Sequence, residues 1–175
     1  MNDLLLLAMM LEGPKYGYQL KRDAGWITGQ ENLHSNLVYP LLRKFLEQKW
    51  VTKKAVPGER GQTRQQYSLT VAGKRYLSER LYAFSETDAG SEDAFHLRIG
   101  IFPVLSPAAR ETVLARRDAY LQKRDQKLEA LEANLRIGKF GGEVVGYMRK
   151  QIEMERDWIR RLQKIAKTLN ERRAR

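Results

Sequence analysis

The chain has 175 residues, of which 42% are hydrophobic and 30% charged, a composition typical of one or two soluble globular domains. It contains no cysteine, which excludes disulfides, thiolate nucleophiles and cysteine-bound zinc and suits a reducing cytoplasm. The formal net charge of +11 favours polyanionic partners, nucleic acid first, although a solvated basic surface is the simpler alternative. The chain has no run of about 18 or more apolar residues, so we expect no membrane-spanning helix.

The first 80 residues predict three short helices followed by a β-hairpin. Gly13-Pro14 ends the first helix, and apolar spacing predicts further helices over residues 16–27 and 36–48. The segments WVTKKAV and RQQYSLT, on either side of PGERGQT, predict two antiparallel strands joined by a turn. This is the element order of a winged helix-turn-helix.

The third predicted helix has an apolar and a polar face at about 100° per residue. The apolar face holds Leu37, Val38, Leu41, Leu42 and Phe45, and the polar face holds Asn36, Tyr39, Pro40, Arg43 and Glu47. Pro40 is tolerated because it lies near the helix start. Asn36 can pair with a base edge, Tyr39 with a phosphate, and Arg43 with Lys44 can reach phosphate or guanine, as a recognition helix in a major groove requires. A surface helix with an incidental polar face is the alternative.

The predicted hairpin adds a second basic surface. Its lysines and arginines surround glycines that permit close approach to a nucleic-acid backbone, although basic residues also protect exposed sheet edges. We therefore predict that the DNA-contacting residues are Tyr18, Ser35, Asn36, Tyr39, Arg43, Lys44, Lys54, Arg60, Thr63 and Arg64.

The C-terminal half predicts long helices. The small and acidic residues 85–93, SETDAGSED, predict a linker between a DNA-binding domain over residues 1–84 and a helical domain over residues 94–175. Ser106-Pro107 begins a helix with leucine at every seventh position, and glycines separate it from a last helix. We expect an antiparallel helical hairpin whose apolar stripes are buried against a second copy. The predicted dimer residues are Leu114, Leu121, Leu128, Leu135, Ile152, Trp158, Ile159 and Leu162.

Trp158 supports a further hypothesis, a site for a small aromatic effector. Its indole offers a flat face for stacking, and Tyr147 lies on the same helix. Packing of Trp158 in the dimer core is the favoured alternative, because large aromatic residues dominate interfaces. The sequence predicts no cofactor and no metal site, since the two histidines lie in separate segments without metal-ligand spacing.

Three segments of the N-terminal half carry a family pattern: LEGPKYGYQL, SNLVYPLLRKFLEQKWV and GQTRQQYSLTVAGK. In this order they resemble the opening pattern, the recognition helix and the wing of the PadR-like family of transcriptional regulators. The resemblance implies a mostly α-helical fold with a small β-hairpin, an N-terminal winged helix-turn-helix and a C-terminal helical dimerisation region. It also implies a bacterial, cytoplasmic, nucleoid-associated homodimer that binds a palindromic operator in double-stranded DNA, usually as a repressor and sometimes with an effector.

Other functions remain open at this point. A winged helix can serve as a protein-interaction module that never meets DNA, or the regulator can act as an activator or chiefly as a small-molecule binding protein. An enzyme is not expected, because no serine has a nucleophile-elbow setting and GERG reads as a turn rather than a phosphate loop.

Overall fold

The computed structural model describes residues 2–28, 35–58, 62–134 and 138–173. The fold is mostly α-helical with one small antiparallel sheet, as predicted, and the chain divides into two compact units, Met1–Ala83 and Phe84–Arg175. Arg60 and Leu135, predicted to contact DNA and a second chain respectively, lie outside the described residues. Among the described helices, none has both the length and the apolarity needed to cross a bilayer.

The N-terminal unit has the element order of a winged helix-turn-helix. Its elements are α1 (Asn2–Met9), a 3₁₀ turn (Met10–Glu12), β1 (Lys15–Tyr16), α2 (Gly17–Thr28), α3 (Ser35–Glu47), β2 (Val51–Pro57), β3 (Thr63–Leu69) and α4 (Val71–Tyr82). Each helix contributes fully buried apolar side chains to one core, and each such side chain stabilises the fold by roughly 1.5–3 kcal/mol. They include Leu6, Leu7, Leu20, Val38, Leu42, Phe45, Leu77 and Leu81.

The sheet has three strands in the order β1-β3-β2, within the described residues. The predicted hairpin is present, with β2 and β3 paired from Val51 opposite Leu69 to Pro57 opposite Thr63. Strand β1 was not predicted, because its two residues are too few to show alternation. This short strand holds the chain before α2 against the β2–β3 hairpin, which is the wing.

Helix α3 ends in a left-handed turn at Lys49, whose φ is 57°. The amide of Lys49 donates to the carbonyl of Leu46 at 3.0 Å, and the amide of Trp50 donates to that of Phe45 at 2.9 Å, the pattern of a Schellman motif. The Trp50 ring then stacks on Tyr76 of α4 with ring centroids 3.7 Å apart. The turn therefore ties α3, β2 and α4 together.

The C-terminal unit is helical in its described part. Its elements are α5 (Glu86–Gly90), α6 (Glu92–Gly100), a 3₁₀ turn (Phe102–Val104), α7 (Pro107–Asn134) and α8 (Lys139–Arg173). The segment 85–93, expected to be a linker, instead forms α5 and the start of α6. Ser85 and Asp88 form a reciprocal capping box at the start of α5, and Ala89 is buried. The small and acidic residues there are helix caps rather than the spacers of an open linker.

Helices α7 and α8 form the predicted antiparallel hairpin, but their apolar stripes cover each other within one chain. Leu114 and Leu121 of α7 and Ile152 and Ile159 of α8 are each less than 5% exposed in the single chain. These four side chains were expected to pack against a second copy, and the structure corrects that expectation. The physical reason is that a hairpin of two long helices brings its own stripes together first.

Glu155 interrupts the apolar spacing of α8 between Ile152 and Ile159, and an ion pair explains this interruption. Glu155 accepts hydrogen bonds at 2.7 and 2.8 Å from Nε and Nη2 of Arg117, which is buried in α7. Nη1 of Arg117 donates to the carbonyl of Ala89 at 2.8 Å. A buried guanidinium is tolerated because its donors are satisfied in this way. Glu155 is thus part of the α7–α8 contact.

Candidate nucleic-acid interface

Helix α3 presents a polar face with exposed cations. Arg43, Lys44, Tyr39, Pro40 and Glu47 are exposed, and the opposite face is buried in the core. Leu37, expected in the core, is instead exposed because it lies about 100° around the helix from fully buried Val38. Ser35 and Asn36 form the first turn of α3, but their side chains lie outside the described part of the structure.

Tyr39 is held against the start of α2. Its Cε1 lies 3.1 Å from the point where a Cβ on Gly17 would stand, so the absence of a side chain at Gly17 lets the ring approach the backbone. The same point lies 3.6 Å from the ring of Tyr67 on β3. Burial, and then the neighbouring Tyr39, raise the pKa of Tyr67. Tyr39 is therefore braced on one side and exposed on the other.

The register of the hairpin sorts the predicted wing contacts onto two faces. Directly opposed residues in an antiparallel pair share a face. Arg64 lies opposite Val56, and Lys54 lies opposite Gln66 two positions along β3, so Lys54 and Arg64 share one face. Thr63 lies on the other face, because successive side chains alternate. Lys54 and Thr63 are exposed, and Arg64 is half-buried.

Tyr16 joins the face that carries Lys54 and Arg64. It lies opposite Gln66 in the β1–β3 pair, and its ring stacks on that of Tyr18 with centroids 5.8 Å apart. The guanidinium carbon of Arg64 lies 5.8 Å from the centroid of the Tyr18 ring. Tyr18 and Arg64 were predicted from the sequence as site residues, whereas Tyr16 was not. The spacing of two tyrosines at positions 16 and 18 was the available signal.

The cations of this surface are free to meet phosphates. No ion pair within residues 2–28, 35–58, 62–134 and 138–173 involves Arg43, Lys44, Lys53, Lys54 or Arg64. Cations without acidic partners can neutralise phosphates without first breaking an ion pair. No cluster of three or more potential metal ligands occurs among the described residues. The surface thus has the chemistry of a nucleic-acid interface.

A groove of about 460 Å³ lies beside Trp158 in the C-terminal unit. Its lining includes apolar side chains, Met148, Met154 and Trp158, and two basic ones, Arg124 and Arg161. The Trp158 ring contacts Phe95 and His96 edge-on, with centroids 5.7 and 5.5 Å apart. Tyr147 does not line the groove; its hydroxyl accepts a hydrogen bond at 3.1 Å from Gln151, which does. The two residues predicted to bind an effector are therefore not side by side.

Comparison with known proteins identifies the N-terminal unit. Residues 6–79 match the model of the transcriptional regulator PadR-like family. No significant match was found among curated proteins. The match begins within α1 and ends within α4, and it includes every described residue predicted to contact DNA.

Several solved structures are similar to parts or most of the chain. Bacillus subtilis PadR in complex with operator DNA is 19% identical, with a TM-score of 0.44 over 95% of this chain and 97% of that one. A protein from Thermoplasma acidophilum described as a candidate transcriptional regulator is 29% identical, with a TM-score of 0.43 over 45% of this chain and 75% of that one. A PadR family transcription regulator from Clostridium difficile is 20% identical, with a TM-score of 0.41 over 47% and 85%. The family match rests on the sequence of residues 6–79, which form a domain similar to the PadR-like family of transcriptional regulators.

Proposed function

We propose that this protein is a bacterial, cytoplasmic transcriptional repressor that binds a palindromic operator in double-stranded DNA as a homodimer. Helix α3 enters the major groove, with Tyr39, Arg43 and Lys44 toward the duplex and Ser35 and Asn36 at its leading end. The wing follows the backbone with Lys54, Thr63 and Arg64. Arg60, which lies between the two strands in the sequence, belongs to the same proposed contact set.

One observation carries this proposal: a basic, exposed face on α3 beside a basic wing, without acidic partners among the described residues. Glu47 lies on the same side of α3 but near its C-terminal end. A recognition helix reads bases with its N-terminal residues, so Glu47 can remain outside the groove. We propose repression rather than activation because regulators of the PadR-like family usually repress.

The test is selection of bound duplexes from a random pool, followed by affinity measurements on the selected sequence. We expect a palindrome, and a steep linear fall of log affinity with log salt. Arg43→Ala should weaken binding by about tenfold, and it should lower the salt slope by about one if Arg43 neutralises a phosphate. Tyr39→Phe should weaken binding by less, since it removes a single hydrogen bond.

Lys74→Ala is the matched control, because Lys74 is exposed on α4 outside the proposed contact set. It should leave both affinity and salt slope unchanged. Duplex binding that shows no salt dependence and no response to Arg43→Ala would instead favour a protein-interaction module.

The homodimer is supported by a second apolar stripe on α8, which the α7–α8 contact leaves uncovered. Its exposed members are Phe140, Val144, Tyr147, Met154 and Ile165. At about 100° per residue, Met154 lies on the opposite side of α8 from buried Val145. Exposed apolar side chains aligned along a helix are typical of an oligomer interface. Of the predicted dimer residues, Leu128, Trp158 and Leu162 are partly exposed in the single chain, and they stay predicted dimer contacts together with this stripe.

The groove beside Trp158 supports the further hypothesis that a planar aromatic effector releases the protein from DNA. Binding of a panel of such compounds should be measured by calorimetry, together with their effect on DNA affinity. Trp158→Leu should abolish both the binding of the compounds and their effect on DNA affinity, since leucine keeps an apolar side chain but offers no ring for stacking. Tyr147→Phe should change neither, because Tyr147 lies outside the groove lining. If no compound in the panel binds the unmodified protein, the effector hypothesis is wrong.

A further inference from the structure

Arg64 lies where the wing meets α2, and its side chain is in contact at two places. Its guanidinium carbon is 5.8 Å from the centroid of the Tyr18 ring, within the range of a cation–π interaction. Its Nε and Cδ pass Gly58, at the end of β2: a Cβ built on Gly58 would stand 2.8 and 3.2 Å from them. The side chain fits there because position 58 has no Cβ.

Tyr18 is itself held in place. Its ring stacks on Tyr16 with an interplanar angle of 11°, and Tyr16 is fixed to the wing by its pairing with Gln66 on β3. Gln66 and Arg64 are two positions apart and so share a face of the sheet. The ring of Tyr18, which belongs to α2, therefore reaches the face of the wing that carries Arg64.

An exposed arginine normally samples many rotamers and loses that freedom when it binds a phosphate. A side chain that is already held by a ring and by the surrounding backbone loses less conformational entropy when it binds a phosphate. The cation–π contact leaves the charge in place, and no described acidic residue pairs with Arg64. The guanidinium is thus restrained in position while its charge stays available to an anion.

We propose that Tyr18 is a positioning residue: its ring holds Arg64 ready for the DNA backbone, and it acts through Arg64 rather than through its own hydroxyl. This inference rests on the proposed DNA-binding function. It changes the role expected for Tyr18 from a direct contact to a support of the wing, and it links the geometry of the wing to α2.

A double-mutant cycle on operator binding tests the role. Tyr18→Phe keeps the ring and should bind as the unmodified protein does. Tyr18→Leu should weaken binding by about two- to fivefold, the range expected for an exposed cation–π contact. In the Arg64→Ala background, Tyr18→Leu should cost nothing further, because the residue through which it acts is absent. An equal loss in Tyr18→Phe and Tyr18→Leu would mean that the hydroxyl contacts DNA, and would overturn the proposal.

A second measurement needs no DNA. In the free protein, the Tyr18 ring should shift the NMR signals of the Arg64 side chain, and Tyr18→Leu, but not Tyr18→Phe, should remove this shift. Tyr82→Leu is the matched control, since both tyrosines are 47% exposed. Arg64 signals that do not respond to Tyr18→Leu would overturn the positioning role. If the Arg64 signals respond but the protein binds no duplex, the DNA-binding function is overturned while the contact between Tyr18 and Arg64 is supported.

Discussion

Lys49 occupies the left-handed backbone conformation that ends α3, with a φ of 57°. A residue with a Cβ pays about 1–2 kcal/mol there, a penalty that glycine avoids. Replacing Lys49 with glycine would remove this penalty, but part of the added stability would be lost because glycine has a larger conformational entropy in the unfolded state. We predict that Lys49→Gly raises the free energy of unfolding by about 0.5–1 kcal/mol, as measured by urea denaturation.

The control for this prediction is Lys53→Gly, which places the same substitution in the interior of β2. It should lower stability, because glycine in a strand loses more entropy on folding and packs no side chain. If Lys49→Gly instead lowers the free energy of unfolding, the contacts of the Lys49 side chain stabilise the fold by more than its left-handed backbone conformation destabilises it.

At the same scale, helical periodicity predicted the exposed part of the site better than the contacts within it. The exposure of Tyr39, Arg43 and Lys44 follows from their position opposite the apolar face of α3. The contact between Arg64 and Tyr18 could not be predicted, because it depends on strand register and on the pairing of β1 with β3. Those are long-range properties with no local periodic signal.

At the scale of elements, apolar stripes predicted the α7–α8 hairpin but not which surface covers each stripe. Helix α8 carries two stripes, one buried on α7 and one exposed. Periodicity reports that a face is apolar and is the same whether the neighbour is the same chain or another. Likewise, Glu155 interrupts the pattern in sequence, and only the structure reveals its partner Arg117.

Residues 85–93 illustrate the same limit. Serine and aspartate are common both in linkers and at helix ends because their side chains bind nearby backbone groups, and glycine is common there because its backbone is conformationally free. Here Ser85 and Ser91 cap two consecutive short helices. Composition alone could not distinguish these uses, since the decision depends on whether α5 finds a surface on which to bury Ala89.

At the scale of the whole molecule, the winged-helix fold was predictable because several independent signals agreed: helix punctuation, a hairpin, and a family pattern that spans residues 6–79. The net charge of +11 is consistent with a polyanionic partner but does not specify one. Assembly was the least predictable property, since it depends on which surface remains after the chain has folded.

The exposed stripe of α8 leads to the prediction for assembly. If Phe140, Val144, Tyr147, Met154 and Ile165 pack against a second copy, the unmodified protein should sediment as a dimer at micromolar concentration. Met154→Asp should then raise the dimer dissociation constant by about tenfold or more, because it buries a charge in an apolar contact. Operator affinity should fall with it, since two recognition helices about 34 Å apart need two chains.

Gln163→Asp is the matched control for Met154→Asp. It introduces the same charge on α8 at an exposed position about 180° around the helix from Met154. It should leave both the sedimentation and the operator affinity unchanged. A Met154→Asp variant that stays dimeric and binds the operator normally would place the interface elsewhere, and a monomeric unmodified protein would exclude the homodimer itself.

Because Met154 is exposed in the single chain, its substitution should leave the thermal stability of the monomer almost unchanged. A loss of dimerisation without a loss of folding is therefore the result that would identify this stripe as the interface.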